Sequence, residues 1–157
     1  MALEETDDLS GSVFRAFRMA FLLHKQLLEK ALAEKGSHLG EAMVLRVLSL
    51  QDGMSQRDLA DTMHLSRPRI TGILQGMEKA GALVRRPDEE DQRLTRAYLT
   101  AEGHRMDKAL RSTMSSCISH TMGAMSVEDR QELARLLGLL AQHTSEALRN
   151  EGSGTTR

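Results

Sequence analysis

The chain has 157 residues, 40% of them hydrophobic and 27% charged, with a formal net charge of −1. That profile fits one compact domain with a real core and leaves no room for two large ones. The single cysteine, Cys117, excludes an intramolecular disulfide framework and fits a reducing compartment.

No apolar run approaches the roughly 18 residues of a membrane span, and the acidic start MALEETDD lacks the basic region of a secretory signal. A cytoplasmic protein with no membrane partner is the expectation. Aromatic residues make up 3% of the chain, Trp is absent and Met reaches 10. Leucine, alanine and methionine must fill the core, which favours helix over sheet.

In chain order, apolar residues at Leu9, Val13, Phe17, Ala20, Leu23, Leu27 and Ala31 predict a long amphipathic helix ended by Lys35-Gly36-Ser37. A second helix starts at Ser37 or His38 and carries Leu39, Met43, Val47 and Leu50, and the turn pair Asp52-Gly53 closes it. Ser55 with Asp58 makes a capping pattern for a short helix bearing Leu59, Ala60 and Met63. After the turn His64-Leu65, Ser66 is the expected cap of a fourth helix. Pro68 stands in its first turn, Ile70, Ile73, Leu74 and Met77 form its apolar stripe, and Gly81 terminates it.

Residues 82–86 read as a strand, Pro87 to Gln92 as an acidic loop, and Arg93 to Leu99 as the returning strand. Thr100 caps a fifth, long helix that ends between Gly123 and Ser126. Ser126 with Asp129 then opens a last helix rich in leucine, and the tail 151–157 is expected to be disordered.

The chemistry concentrates between Ser55 and Gly103. Two short helices meet across a tight turn, the second with polar and basic side chains at its start, and a basic hairpin follows. A recognition helix needs such side chains in its first turn, because that end enters the major groove. Ser66, Arg67, Arg69 and Thr71 occupy the turn, with Gln75 further along the same side. Arg pairs bidentately with guanine, Gln with adenine, and Thr touches a thymine methyl, while Ser reaches phosphate. From His64 to Arg86 the local charge is +4, although the chain as a whole is near neutral. In the hairpin, Arg85 and Arg86 lie at the base and Arg93 follows the tip, where an arginine suits a narrow minor groove. Asp88, Glu89, Glu90 and Asp91 oppose phosphate unless they pair internally, and Asp91 stands ready to orient Arg93.

Four motifs in this order carry a resemblance. They are Leu59-Ala60-x-x-Met63-x-Leu65-Ser66, Thr71-x-x-Leu74-x-x-Met77-Glu78-x-x-Gly81, Arg85-Arg86-x-Asp88-x-x-Asp91-x-Arg93 and Leu99-Thr100-x-x-Gly103. Together with the flanking long helices, they resemble the MarR family of bacterial transcriptional regulators. The resemblance implies a mainly α fold with a small β-hairpin, in which a winged helix-turn-helix DNA-binding domain is flanked by long dimerisation helices. The expected division is a dimerisation helix over 1–36, the winged domain over 37–100 and dimerisation helices over 101–150. It also implies a homodimer on a double-stranded, pseudo-palindromic operator. Ser66, Arg67, Pro68, Arg69 and Thr71 fall on the family's major-groove positions, Arg93 on the wing arginine and Asp91 on its partner. Basic Arg67 and Arg69, with stiff Pro68 between them, stand where small polar residues are frequent in the family, so the operator sequence is not transferable.

The resemblance further implies a small-molecule effector, with Met19, Leu23, Met43, Val47, Met106 and Leu110 as candidate lining; plain core packing is the competing role for each. Cys117 lies on an apolar helical stripe instead of in the first helix, where oxidation sensors of the family carry theirs. No two of the six histidines stand at helical ligand spacing, and no catalytic constellation is written in the chain, so neither metal, cofactor nor enzyme activity is expected. The resulting expectation is a ligand-responsive repressor that binds DNA as a homodimer. The alternatives are a redox-responsive regulator acting through Cys117, or a dimeric interaction module that no longer binds DNA.

Overall fold

In the computed structural model, residues 8–153 are described, with the side chains of residues 151–153 left aside. The first seven residues, and residues 154–157 of the expected disordered tail, lie outside that range. The elements run α1 (Asp8–Ala33), α2 (Leu39–Leu50), β1 (Met54–Ser55), α3 (Gln56–Thr62), α4 (Arg67–Lys79), β2 (Leu83–Pro87), β3 (Thr95–Leu99), α5 (Ala101–Met122) and α6 (Val127–Ser153). The mainly helical architecture with a small sheet is the expected one. Two departures concern ends of elements. α6 continues through residues 151–153, which the sequence assigned to the tail. β3 starts at Thr95 instead of Arg93, because Asp91 Oδ1 takes the Arg93 N–H (3.0 Å) and the Leu94 N–H donates to the Asp91 carbonyl (2.8 Å), so that stretch is a turn.

The described residues form two compact units, divided between Cys117 and Ile118. The core of the first is a leucine-rich cluster. Leu32, Val44, Leu45, Leu48, Leu59, Ile70, Leu74 and Met77 are essentially inaccessible to solvent, with Ala82 just before β2, and Leu83 and Ala97 of the sheet, closing it. Each such fully buried side chain larger than alanine contributes roughly 1.5–3 kcal/mol relative to exposure.

The sheet is antiparallel with strand order β1-β3-β2. β1, a two-residue strand, was not anticipated, since two residues carry no periodicity. It pairs Met54 with Ala97 and Ser55 with Arg96. Ser55 then serves twice, because its hydroxyl also accepts the Asp58 N–H (3.1 Å) and donates to the Asp58 carboxylate (2.8 Å), capping α3. Pro87 ends β2, an edge strand, where a missing N–H costs no ladder bond.

Helix ends follow local chemistry. His38 caps α2 by accepting the Glu41 N–H on Nδ1 (3.2 Å). α3 ends in the two bonds of a Schellman motif, Leu65 N–H to the Ala60 carbonyl and His64 N–H to the Asp61 carbonyl, which puts His64 at φ +51°. The left-handed residue turns the chain sharply into α4. Thr100 Oγ accepts the Gly103 N–H (3.1 Å) and donates to the Gly81 carbonyl (2.7 Å). A side chain at Gly103 would collide with the Ala82 carbonyl oxygen, so the Leu-Thr-x-x-Gly motif is what lets α5 begin against the end of the α4–β2 turn.

Candidate nucleic-acid interface

α4 is split lengthwise. Ile70, Leu74 and Met77, at steps of four and three, are buried, and they fix the helix in the core. Ser66, Arg67, Pro68, Arg69, Gly72, Gln75, Gly76 and Lys79 are exposed on the remaining surface. Ser66 occupies the N-cap position as expected, but its hydroxyl makes no capping bond, and Pro68 falls in the first turn. Thr71 is half-buried and its hydroxyl donates to the Arg67 carbonyl (2.9 Å), leaving its methyl and lone pairs for contacts.

Beyond the backbone of their own helix, Gly72 and Gly76 have no atom within 4 Å of where a side chain would begin. Mid-helix glycine costs about 0.5–1 kcal/mol relative to alanine. Packing within the chain does not require either one. The three buried residues of the inner face outweigh that cost and keep the helix formed.

Of the basic residues counted in the sequence, Arg85 faces inward to protein. Its Nε and Nη2 donate to Glu78 Oε2 at 2.9 and 2.6 Å, and its backbone N–H donates to Oε1 at 3.2 Å. Those bonds from Arg85 lower the Glu78 pKa. Arg67, Arg69, Lys79 and Arg86 stay exposed, so the local positive charge survives the pairing. Arg86 leans over the Tyr98 ring, its guanidinium carbon 5.8 Å from the centroid. Behind Tyr98, Gly53 adopts φ +75°, and a side chain there would strike the ring at 2.7 Å.

The acids of the wing are partly consumed internally. Asp88 Oδ1 accepts the backbone N–H groups of Glu90 (2.9 Å) and Asp91 (2.8 Å), and Oδ2 pairs with Arg96. The Arg96 guanidinium, then the two amides, hold the Asp88 carboxyl down at about 2. Asp91 engages the backbone N–H of Arg93, so it shapes the turn under that residue; the Arg93 side chain itself is exposed.

Beside the first turn of α4 lies a cavity of about 390 Å³. Lys25 and Glu29 of α1, His38 to Gly40 and Met43 at the start of α2, Met63, Leu65 and Arg69 line it. Lys25 and Glu29 pair at 3.6 Å. Of the six residues singled out as effector lining, Met43 is on this wall. Leu110 is buried in the core, Val47 and Met106 pack against it, and Met19 and Leu23 are more than half exposed on α1. The polar wall from Lys25, His38 and Arg69 was not anticipated, because it is assembled from three elements distant in sequence. Cys117 is half-buried on α5. Among the described residues, no group of His, Cys, Asp and Glu is arranged to hold a metal ion, and no helix is long and apolar enough to cross a membrane.

Known proteins share this arrangement. The sequence model of the MarR family matches residues 36–94, the stretch from the start of α2 to the wing. The HTH-type transcriptional regulator TtmR of Methylorubrum extorquens is 30% identical over 71% of this chain, which spans about half (54%) of TtmR's own length. The transcriptional activatory protein BadR of Rhodopseudomonas palustris is 30% identical over 74% of this chain and 68% of BadR. Among solved structures, AbsC of Streptomyces coelicolor, a MarR family transcriptional regulator, superimposes with a TM-score of 0.81 at 26% identity, covering 90% of this chain and 97% of AbsC. CouR of Rhodococcus jostii bound to p-coumaroyl-CoA does so with a TM-score of 0.68 at 25% identity, covering 90% of this chain and 95% of CouR. With an outward basic helix, an arginine-bearing wing and these relatives, the chain belongs to the MarR family.

Proposed function

We propose that this protein is a cytoplasmic, sequence-specific DNA-binding regulator that represses transcription as a homodimer and is released from its operator by a small ligand. The observation that carries the reading is the lengthwise split of α4. Its inner face is anchored in the core, while its first turn offers Arg67 and Arg69 to a partner outside the chain, beside a glycine-smooth surface. In this reading Ser66, Arg67, Pro68, Arg69, Thr71 and Gln75 meet the major groove, and Arg86 and Arg93 meet the backbone or minor groove beside it, with Asp91 shaping the turn under Arg93.

What α1 and α6 leave uncovered supports dimerisation. Phe14, Phe17, Phe21 and Leu23 on α1, and Leu136, Leu137 and Leu140 on α6, are each more than a third exposed. Apolar surface on this scale calls for a partner. A second copy satisfies it symmetrically and sets two recognition helices about 34 Å apart, the spacing of successive major grooves.

The cavity supports the ligand half of the reading. Its volume is within the range of small-molecule sites. Lys25, His38 and Arg69 set against Glu29 favour an anionic guest with an apolar body over Leu39 and Met43. Such a guest would draw the Arg69 guanidinium toward the cavity and away from a base. The resulting shift in DNA affinity is bounded by the guest's differential affinity for the two states. A small-molecule thioester on CouR, named above, is a precedent in a relative.

Selection of duplexes from a random-sequence pool, followed by mobility shift across a salt series, tests DNA recognition. The expected result is an enriched pseudo-palindrome, whereas binding without preference would leave an interaction module as the better reading. A promoter fusion carrying the selected duplex tests the sign of regulation, with derepression expected on deletion of the chain. BadR's name records activation, so loss of expression on deletion would reverse that part.

A further inference from the structure

A hairpin of two strands is marginally stable by itself, and this wing gains an anchor from a side chain that the sequence reading passed over. Arg96 lies on β3 opposite Arg86. Its Nε donates to Asp88 Oδ2, and its Nη1 donates to the Gly53 carbonyl (2.9 Å), 43 residues away in the chain. The α2–β1 turn grips the same strand at two more points. Asp52 Oδ1 accepts the Leu99 N–H (2.9 Å), and the Gly53 N–H donates to the Ala97 carbonyl (3.0 Å). From Arg96 the connection passes to Asp88, whose other oxygen closes the loop through the N–H groups of Glu90 and Asp91, and Asp91 in turn holds the backbone of Arg93.

Arg96 and Asp88 neutralise one another, so as a pair they add little to attraction for phosphate. Their geometry acts on the loop. The Asp88 side chain is only 10% exposed, although residues 89–93 of the loop it opens are exposed. We propose that Arg96 is a positioning residue for DNA binding, which bridges the Asp88 carboxylate and the Gly53 carbonyl, fixes the pitch of the wing and so aims Arg93. This inference rests on the DNA-binding reading above.

The test uses the full chain and a duplex that the wild type has itself enriched from a random-sequence pool, with affinity measured by fluorescence anisotropy. Arg96→Met keeps the aliphatic stem and removes both donors. Asp88→Asn keeps the loop-closing oxygen and removes the charge. Each is expected to weaken binding by about tenfold, the worth of one arginine–DNA contact. Neither should weaken it further in a background of Arg93→Ala, because the clamp acts through Arg93.

Asp88→Asn is the sharper arm. Removing a negative charge from a DNA-facing wing tightens binding by electrostatics alone, and only loss of aim reverses the sign. Tighter binding by Asp88→Asn, or losses from Arg96→Met and Arg93→Ala that add, overturn the clamp and leave Arg96 as a direct phosphate contact. Should Arg96→Met fail to fold by thermal melting, Asp88→Asn with and without Arg93→Ala decides the matter. A wild type that enriches no duplex sinks the DNA-binding reading, and the clamp with it. Additivity on an enriched duplex sinks the clamp alone.

Discussion

The winged region and the terminal helices solve the burial problem in opposite ways. Between α2 and β3, most apolar side chains turn inward, Met43, Leu50 and Val84 excepted, and polar ones cap, clamp or face out; Leu45, Leu48, Leu59, Ile70 and Leu74 have no exposed surface. Along α1 only Leu28 and Leu32 are buried, and among the described residues of α6 none is. One region is complete within a single chain. The other carries the apolar content of a core without the core. The same leucines thus complete a fold in one segment and, under the proposed function, position a partner in the other.

The largest expected effect comes from breaking the second region while sparing the first. Placing charge on α6 with Leu136→Glu and Leu140→Glu should yield a monomer by sedimentation and retain cooperative unfolding of the winged region. Operator affinity should fall by about 10²–10⁴, the worth of linked half-site binding. A monomeric variant with undiminished affinity would show that the terminal helices do not organise the DNA-binding unit.

A smaller effect sharpens the first region. Arg69→Ala is expected to cost about 1–3 kcal/mol of operator affinity and to relax preference at one position. Because Arg69 also lines the cavity, the same variant should respond less to an anionic effector, read as a reduced shift of the DNA titration. Unchanged affinity and unchanged preference would remove Arg69 from the base-contacting set.

Gly72→Ala separates binding from stability. In an exposed helix interior it should stabilise the free protein by about 0.5–1 kcal/mol in denaturant titration. It should also weaken operator binding, because the surface it roughens is the one proposed to face the groove. Equal or better binding by the stabilised variant would mean the glycine is incidental.

The smallest effect concerns pH and isolates the wing. The Asp88 carboxyl is held at about 2, below the ordinary aspartate value of 3.8, chiefly by Arg96. A depressed carboxylate stabilises the folded form above its unfolded pKa, and that contribution fades as pH falls through the folded value. The Asp88 side-chain carboxyl carbon should keep its chemical shift from neutrality to about pH 4 and change toward pH 2, followed by NMR. A transition centred near 4 would indicate that the pair with Arg96 is not formed in solution.

How much of this was legible in the sequence follows from how local the determinants are. Ser55 with Asp58, Ser126 with Asp129 and Thr100 ahead of Gly103 act within three residues, and their capping bonds form as read. The stripe Ile70, Leu74 and Met77 has helical period, so the outward face of α4 followed by elimination. What escaped was short or distant. β1 has too few residues for a pattern. The link between Arg96 and Gly53 crosses the fold, and the cavity's polar wall draws on α1, the start of α2 and α4 at once. Ser66 shows a subtler gap, since its place as N-cap was readable while its hydroxyl forms no cap bond. Residues 151–153 read as tail by composition, yet the helix propagates through them.

Arg69 stands at once on the outer surface of α4 and on the wall of the cavity behind it. Under the proposed function, one guanidinium with two addresses ties the taste of the molecule for its chemical signal to its taste for a genomic address. A lineage that swaps Arg69 to greet a different promoter would then also inherit a different trigger.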